Sequence, residues 1–156
     1  MMNVAHDTLA FERLFDATPA DLFQAYADPR VRERWSAPSP STEVRIDEGD
    51  FCTGGEERGR CGATGDLRWS TRTYYHLVVP DALISFTEEL REGDQLLTIA
   101  LVTLEIAPAD KGVRLKLTDQ VTSLVGAEAI SGHREGYAKA LDNLALALLP
   151  KPAVAG

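Results

Sequence analysis

The residue pattern predicts an α+β protein: one curved antiparallel sheet, two short helices and a long closing helix at the C-terminus. Three features lead there. From Gly126 to Leu148, the residues Tyr137, Leu141, Leu144 and Leu148 recur at three-and-four spacing, and Ile130 and Arg134 extend the stripe backwards. From Thr42 to Val121 the period drops to two and is broken by short turn signals, as consecutive antiparallel strands require. Ahead of both, Thr18-Pro19 and Asp28-Pro29 each join a capping residue to a proline at a first helical position. A curved sheet must bury its concave face, and a closing helix of roughly 30 Å is long enough to cover it.

Taken in order, Leu9 to Asp16 alternates Leu9, Phe11 and Phe15 onto one face, with Arg13 interrupting and Leu14 opposite, and reads as a strand. Thr18 caps a short helix whose buried stripe is Leu22, Phe23 and Tyr26. Asp28 caps a second, which runs to about Trp35 before the prolines of Ser36 to Ser41 end it. Val44 and Ile46 then alternate with charged neighbours, and Glu48-Gly49-Asp50 turns the chain. The glycine-rich stretch from Gly54 to Gly65 is expected to hold a strand at Glu57 to Cys61 and a turn after it. No lysine and no helix follow these glycines, so they do not match a phosphate-binding loop. Leu67 to Val79 is a long strand, with Leu67, Trp69, Thr71, Thr73, Tyr75 and Leu77 expected on the core face. Leu83 to Arg91 returns with Ile84, Phe86, Glu88 and Leu90 on one face, and two further strands follow at Leu96 to Ile106 and Val113 to Val121. The last sets Val113, Leu115, Leu117, Asp119 and Val121 against Arg114, Lys116, Thr118 and Gln120. The run Leu96 to Val102 is apolar on both faces, which predicts a covered outer surface and suggests a homodimer contact. On the closing helix Lys139, Asp142 and Asn143 fall off the apolar stripe. Gly132 and Gly136 on the same helix imply either a close backbone neighbour or a frayed helix start.

At 156 residues the chain is long enough for one well-buried domain, expected over residues 1–149 with a short flexible tail at 150–156. A formal charge of -8 argues against nucleic acid or an anionic membrane as the main partner. Arg30, Arg32 and Arg34 interleave with Glu33 and read as a solvated helix face. No apolar run approaches the roughly 20 residues that span a bilayer. The start lacks a basic leader with an apolar core, and with only Cys52 and Cys61, read as two free thiols, a cytoplasmic setting is expected. The histidines His6, His76 and His133 do not cluster, so neither a metal site nor a cofactor is expected.

Four segments resemble one family. ATPADLFQAYADPRVRERW is similar to its A-P-x-x-x-V-(aromatic)-x-(aliphatic)-x-x-D-P-x-x-x-x-x-W segment, and VVPDALISF to its strand pair around P-P-x-x-L-x-F. GVRLKLTDQ resembles its G-T-x-L-x-L strand, and GHREGYAKALDNL its H-x-x-G-W-x-x-x-L-x-x-L closing helix. The family is the SRPBCC (START-like) superfamily, in the branch named after the activator of the heat-shock protein 90 ATPase. The resemblance implies the helix-grip fold shared by START domains and the major birch pollen allergen, with a cavity between the long helix and the concave sheet. Tyr137 stands where the family usually has tryptophan, and Trp35 lacks a second aromatic beside it, so the shape of a ligand is expected to differ from that of relatives.

The side chains placed on that cavity are Trp35, Trp69, Tyr75, Phe86, Glu88, Leu117, Asp119, His133 and Tyr137. Pockets of this kind are mostly apolar with a few orienting polar groups. Glu88 and Asp119 continue otherwise apolar faces; either the strand ends reach solvent there, or the carboxylates bind a ligand or act as general acid and base. His133, a turn before Tyr137, is either a helix-start surface residue or a catalytic group at the cavity mouth, and the aromatic residues are either core or ligand wall. The first functional expectation is a binding protein for a small apolar or aromatic ligand. A chaperone-associated interaction module and a cyclase- or hydrolase-like enzyme using the same cavity are the alternatives.

Overall fold

The computed structural model describes residues 2–149, so the expected tail lies outside the described residues. The chain forms β1 (Ala5–Phe15), α1 (Pro19–Ala27), α2 (Pro29–Ser36), β2 (Thr42–Gly49), β3 (Glu56–Ala63), β4 (Asp66–Val79), β5 (Leu83–Glu92), β6 (Gln95–Ala109), β7 (Gly112–Ser123) and α3 (Ala127–Ala147). The seven strands make one antiparallel sheet in the order β1-β7-β6-β5-β4-β3-β2. The predicted helix-grip architecture is therefore present. β1 and β2 lie on opposite edges, and the two short helices carry the chain from one edge to the other.

Local chemistry explains the short helices. Thr18 Oγ1 accepts from the Asp21 backbone N–H while the Asp21 carboxylate accepts from the Thr18 N–H, both at 3.1 Å, a reciprocal cap that satisfies two otherwise unpaired donors. Asp28 accepts from the N–H groups of Arg30 and Val31 to start α2. Trp35 Nε1 donates to the Ala25 carbonyl at 2.9 Å, which fixes the indole against the end of α1. Asn143 sits off the apolar stripe of α3 but is half-buried. Its side-chain amide donates to the carbonyls of Trp35 and Ala37 at 3.3 and 2.9 Å, serving carbonyls that the end of α2 leaves unpaired.

The core runs along β1, β7 and β6 beneath α1 and α3. Leu9, Val113, Leu115, Val102, Leu141 and Leu144 are all at most 2 % exposed, and burial of each such side chain stabilises the fold by about 1.5–3 kcal/mol. On the sheet α3 packs mainly against β1 and β7, α1 against β6 and β7, and α2 against β2, so β3 to β5 are left without a helix packed closely along them. Gly126 caps α3 with φ +100°, where a Cβ would press against Asn3 at 2.9 Å.

Three sequence expectations are corrected. Leu77 is 42 % exposed, because a bulge between Tyr75 and Leu77 shifts the alternation by one residue and sends Val78 inward opposite Ile84. Arg32 is 6 % exposed and belongs to the core face of α2, three residues before Trp35, so the arginine run is not a uniformly solvated face. Gly132 and Gly136 lie well inside α3, and a Cβ at either would meet nothing within 4 Å, so neither close approach nor a frayed start explains them. On the outer face of β6, Ile99 and Leu101 are exposed. Their ladder neighbours are polar, Glu89 and Thr122 for the first and Thr87 and Gln120 for the second. No helix among the described residues is long and apolar enough to cross a membrane.

Candidate functional site

A partly open cavity of about 280 Å³ lies between α2, α3 and the inner faces of β2 to β7. Trp35, Tyr75, Phe86, Glu88, Leu117, His133 and Tyr137 line it. Two expected residues do not. Trp69 is half-buried one step along the inner face of β4 from Thr71, outside the wall, with the Arg68 guanidinium 5.9 Å from its ring. Asp119 is fully buried behind His133, which stands between it and the cavity wall.

One part of the wall is aromatic. Tyr26 lies 5.6 Å from Trp35 and 6.4 Å from Phe86, and Tyr75 lies 5.7 Å from Phe86. The aromatic partner that Trp35 lacks in sequence is thus supplied by Tyr26 on α1. Phe51, in the loop after β2, backs the group with its ring 5.0 Å from Tyr75. Burial raises the phenols of Tyr26, Tyr75 and Tyr137 above their ordinary value, so these rings present neutral hydroxyls near neutral pH.

The rest of the wall is ionic, which sequence reading did not foresee. Arg32 donates to the Tyr75 hydroxyl at 2.7 Å and to Glu57 Oε1, and the Tyr75 hydroxyl donates to the same Glu57 oxygen at 3.0 Å. Burial works against the guanidinium charge, but Tyr75, Glu57 and Tyr26 outweigh it, and Arg32 holds its proton more firmly than a free arginine. The Arg32 guanidinium also lies 5.2 Å from the centre of the Tyr26 ring. Its position on the face of Trp35 was the readable signal. Glu57 carried no comparable signal, because its inward-facing strand neighbours are Gly59 and Cys61, and neither marks a buried face. Gly59 has its own reason: a Cβ there would lie 2.7 Å from the Arg45 carbonyl.

His133 is fixed at both nitrogens. Nδ1 lies 3.1 Å from Asp119 Oδ2, and Nε2 lies 3.3 Å from the hydroxyl of Thr98, a residue only 1 % exposed. Burial acts to lower the imidazole pKa, but the hydrogen bond to Asp119, the Asp119 charge and the Glu88 charge outweigh it, and the pKa is raised. Glu88 is raised as well. Burial is the main cause, with Glu57 and Asp119 adding to it and His133 and the Thr73 hydrogen bond opposing it. Its contact within the protein is the Thr73 hydroxyl, which donates to Oε2 at 3.4 Å, and it forms no ion pair among the described residues. Cys61, a free thiol, also faces the cavity, and burial with the Glu88 charge pushes it up to about 11. Among the described residues no three His, Cys, Asp or Glu side chains gather as a metal site requires.

This arrangement offers aromatic surface, a neutralised arginine–glutamate pair, an imidazole oriented by a carboxylate, and one carboxyl group without a cationic partner. Comparison with known proteins adds the following. Residues 16–148 match the model of the family described as Activator of Hsp90 ATPase homolog 1-like protein. Among solved structures, a protein from Rhizobium leguminosarum is 28% identical with a TM-score of 0.82, covering 95% of this chain and 97% of its own. Mll3558 from Rhizobium loti is 29% identical with a TM-score of 0.81, covering 94% and 99%. CV1439 from Chromobacterium violaceum, at 21% identity and a TM-score of 0.80 over 92% and 98%, shares the fold. No curated protein matches the chain.

Proposed function

The chain belongs to the family of Activator of Hsp90 ATPase homolog 1-like proteins, within the SRPBCC superfamily, and we propose that it binds a compact small molecule in the cavity beneath α3. The observation that carries this reading is the partly open volume of about 280 Å³, lined on one part by Trp35, Tyr75, Phe86 and Tyr137 and on another by ionisable groups. Close packing is the rule in protein interiors, so a volume of this size in the middle of a domain calls for an occupant. The volume lies just below the usual ligand range of about 300–1,000 Å³, which favours a ring with a short chain over a long acyl tail. Native mass spectrometry of gently purified protein tests the reading. A co-purifying compound, or a screen of one-ring molecules that raises the melting temperature, supports it. An interior that gives no adduct and no shift sinks it.

A second reading has its own observation. The imidazole of His133, oriented by Asp119 and close enough to Glu88 for their charges to interact, has the form of a general acid–base group held beside a binding site. Once a ligand is known, its turnover by the wild type and its persistence with His133→Asn would support an enzymatic role. A ligand recovered unchanged from the wild type rules that role out.

A further inference from the structure

We propose that the molecule bound in this cavity is a compact organic cation, a protonated amine on an aromatic or aliphatic body, with its ammonium group on the Glu88 carboxylate. This rests on the reading of the cavity as a binding site and narrows its ligand to one chemical class. The charges of the wall decide it. Arg32 is taken up by Glu57 and Tyr75, and His133 by Asp119 and Thr98. Arg45 and Arg60 lie on the strands that border the cavity, but their side chains are more than half exposed and pair with Glu43 and Asp47. Glu88 is left over. Even with His133 protonated, the cavity wall and the group directly behind it hold three carboxyl groups, Glu57, Glu88 and Asp119, against the two buried cations Arg32 and His133, and Glu88 has a weak hydroxyl contact at 3.4 Å and no ion pair among the described residues.

The surroundings of Glu88 favour the same guest. Tyr26, Tyr75, Phe86 and Tyr137 line the same cavity, and ammonium groups are attracted to the faces of such rings as well as to carboxylates. An anionic guest would bring a further negative charge to Glu57 and Glu88 and find both terminal nitrogens of Arg32 already engaged, its Nε unpartnered but buried away from the cavity surface. A neutral guest would cover a carboxyl group without giving it a partner, which is costly in a buried site. The amine need not arrive charged. A free base entering beside protonated Glu88 takes the carboxyl proton, so that an N–H bond forms as the O–H bond breaks and an ammonium–carboxylate pair remains.

Isothermal titration of the intact chain with three probes of one shape tests this: 4-phenylbutylamine, 4-phenylbutan-1-ol and 4-phenylbutyric acid. The amine should bind about tenfold more tightly than the alcohol or better, a gap of about 1.4 kcal/mol, and the acid should bind weakest. Glu88→Gln, with its fold checked by near-ultraviolet circular dichroism, should bring the amine down to the level of the alcohol. Alcohol or acid binding as tightly as the amine overturns the cation and leaves the cavity reading standing. Failure of all three to bind, together with an empty native mass spectrum, removes both. The wild-type ratio of amine to alcohol decides the question even if the variant does not fold.

Discussion

The two halves of the sheet solve the same problem differently. Towards β1, the inner faces of β1, β6 and β7 carry Leu9, Val102, Val113 and Val121 beneath α1 and α3, and the space is filled by side chains. Towards β2, the same alternation along β3, β4 and β5 brings Glu57, Thr73 and Glu88 inward, and the space between them and α3 stays partly open. Strand geometry is the same in both. What differs is that the open half is held by the Arg32–Glu57–Tyr75 bonds between α2, β3 and β4, where the closed half is held by apolar packing. A cavity survives in a small domain when its rim is tied by directional bonds that cannot collapse inward as leucines would.

The largest expected effect tests that tie. Arg32→Met removes one partner of a buried pair and leaves Glu57 without its cation, which should cost about 3–5 kcal/mol in urea unfolding. The double variant Arg32→Met with Glu57→Leu should recover most of the loss. A single variant as stable as the wild type would mean that the ionic half does not depend on this pair. Leu9→Ala tests the packed half. It removes a fully buried side chain and should cost about 2–5 kcal/mol, with no recovery from a second substitution on the ionic side.

How much of this division could be read in the chain follows from what sets a period. The closing helix, the capped short helices and most strand faces were legible because apolar residues at regular spacing and capping side chains act locally. The phase beyond Tyr75 was lost because a bulge adds one residue without a sequence mark. The ionic wall was illegible for a different reason. Arg32 sits in a run of charges that has the composition of a solvent face, and only its distance of three residues from Trp35 places it inside. Asp119 was on the expected face of β7, but that His133 from α3 would cover it depends on how a helix lies over a sheet, which no local pattern encodes. Trp69 failed similarly, since alternation gives the face of a strand and not where along the strand a cavity ends.

Glu88→Gln compares the two halves through pH. The Glu88 carboxyl is raised above its ordinary value mainly by burial, so the folded protein binds that proton more tightly than the unfolded chain does. The stabilisation this gives is complete below about pH 4.5 and fades as pH rises through the folded value. Above that window the ionised carboxylate is a burden that glutamine lacks, so the variant should melt higher than the wild type at neutral pH, and the gain should vanish at acid pH. Because Glu88 also helps to raise His133, the imidazole should titrate at lower pH in the variant, which an NMR titration of its ring protons reads directly. An unchanged imidazole would separate the two groups and weaken the case that they face one site. The corresponding change in the packed half, Val113→Ala, should show no such dependence on pH.

The smallest effect comes from two glycines a single turn apart. Alanine at either 132 or 136 meets nothing within 4 Å and removes the backbone freedom of a helical glycine, so each substitution should stabilise the protein by about 0.5–1 kcal/mol. In stability the pair should be indistinguishable. In binding they should part, because Gly136 lines the cavity and Gly132 is exposed on α3. Leucine at 136 would place its side chain where a guest is expected and should abolish binding of the phenylbutyl probes, while leucine at 132 should leave their affinity as it was. Equal affinities for both leucine variants would show that a guest, if held, lies away from α3. The missing side chain at 136 would then have no part in making room for it, and the open half would have to be explained from the strands alone.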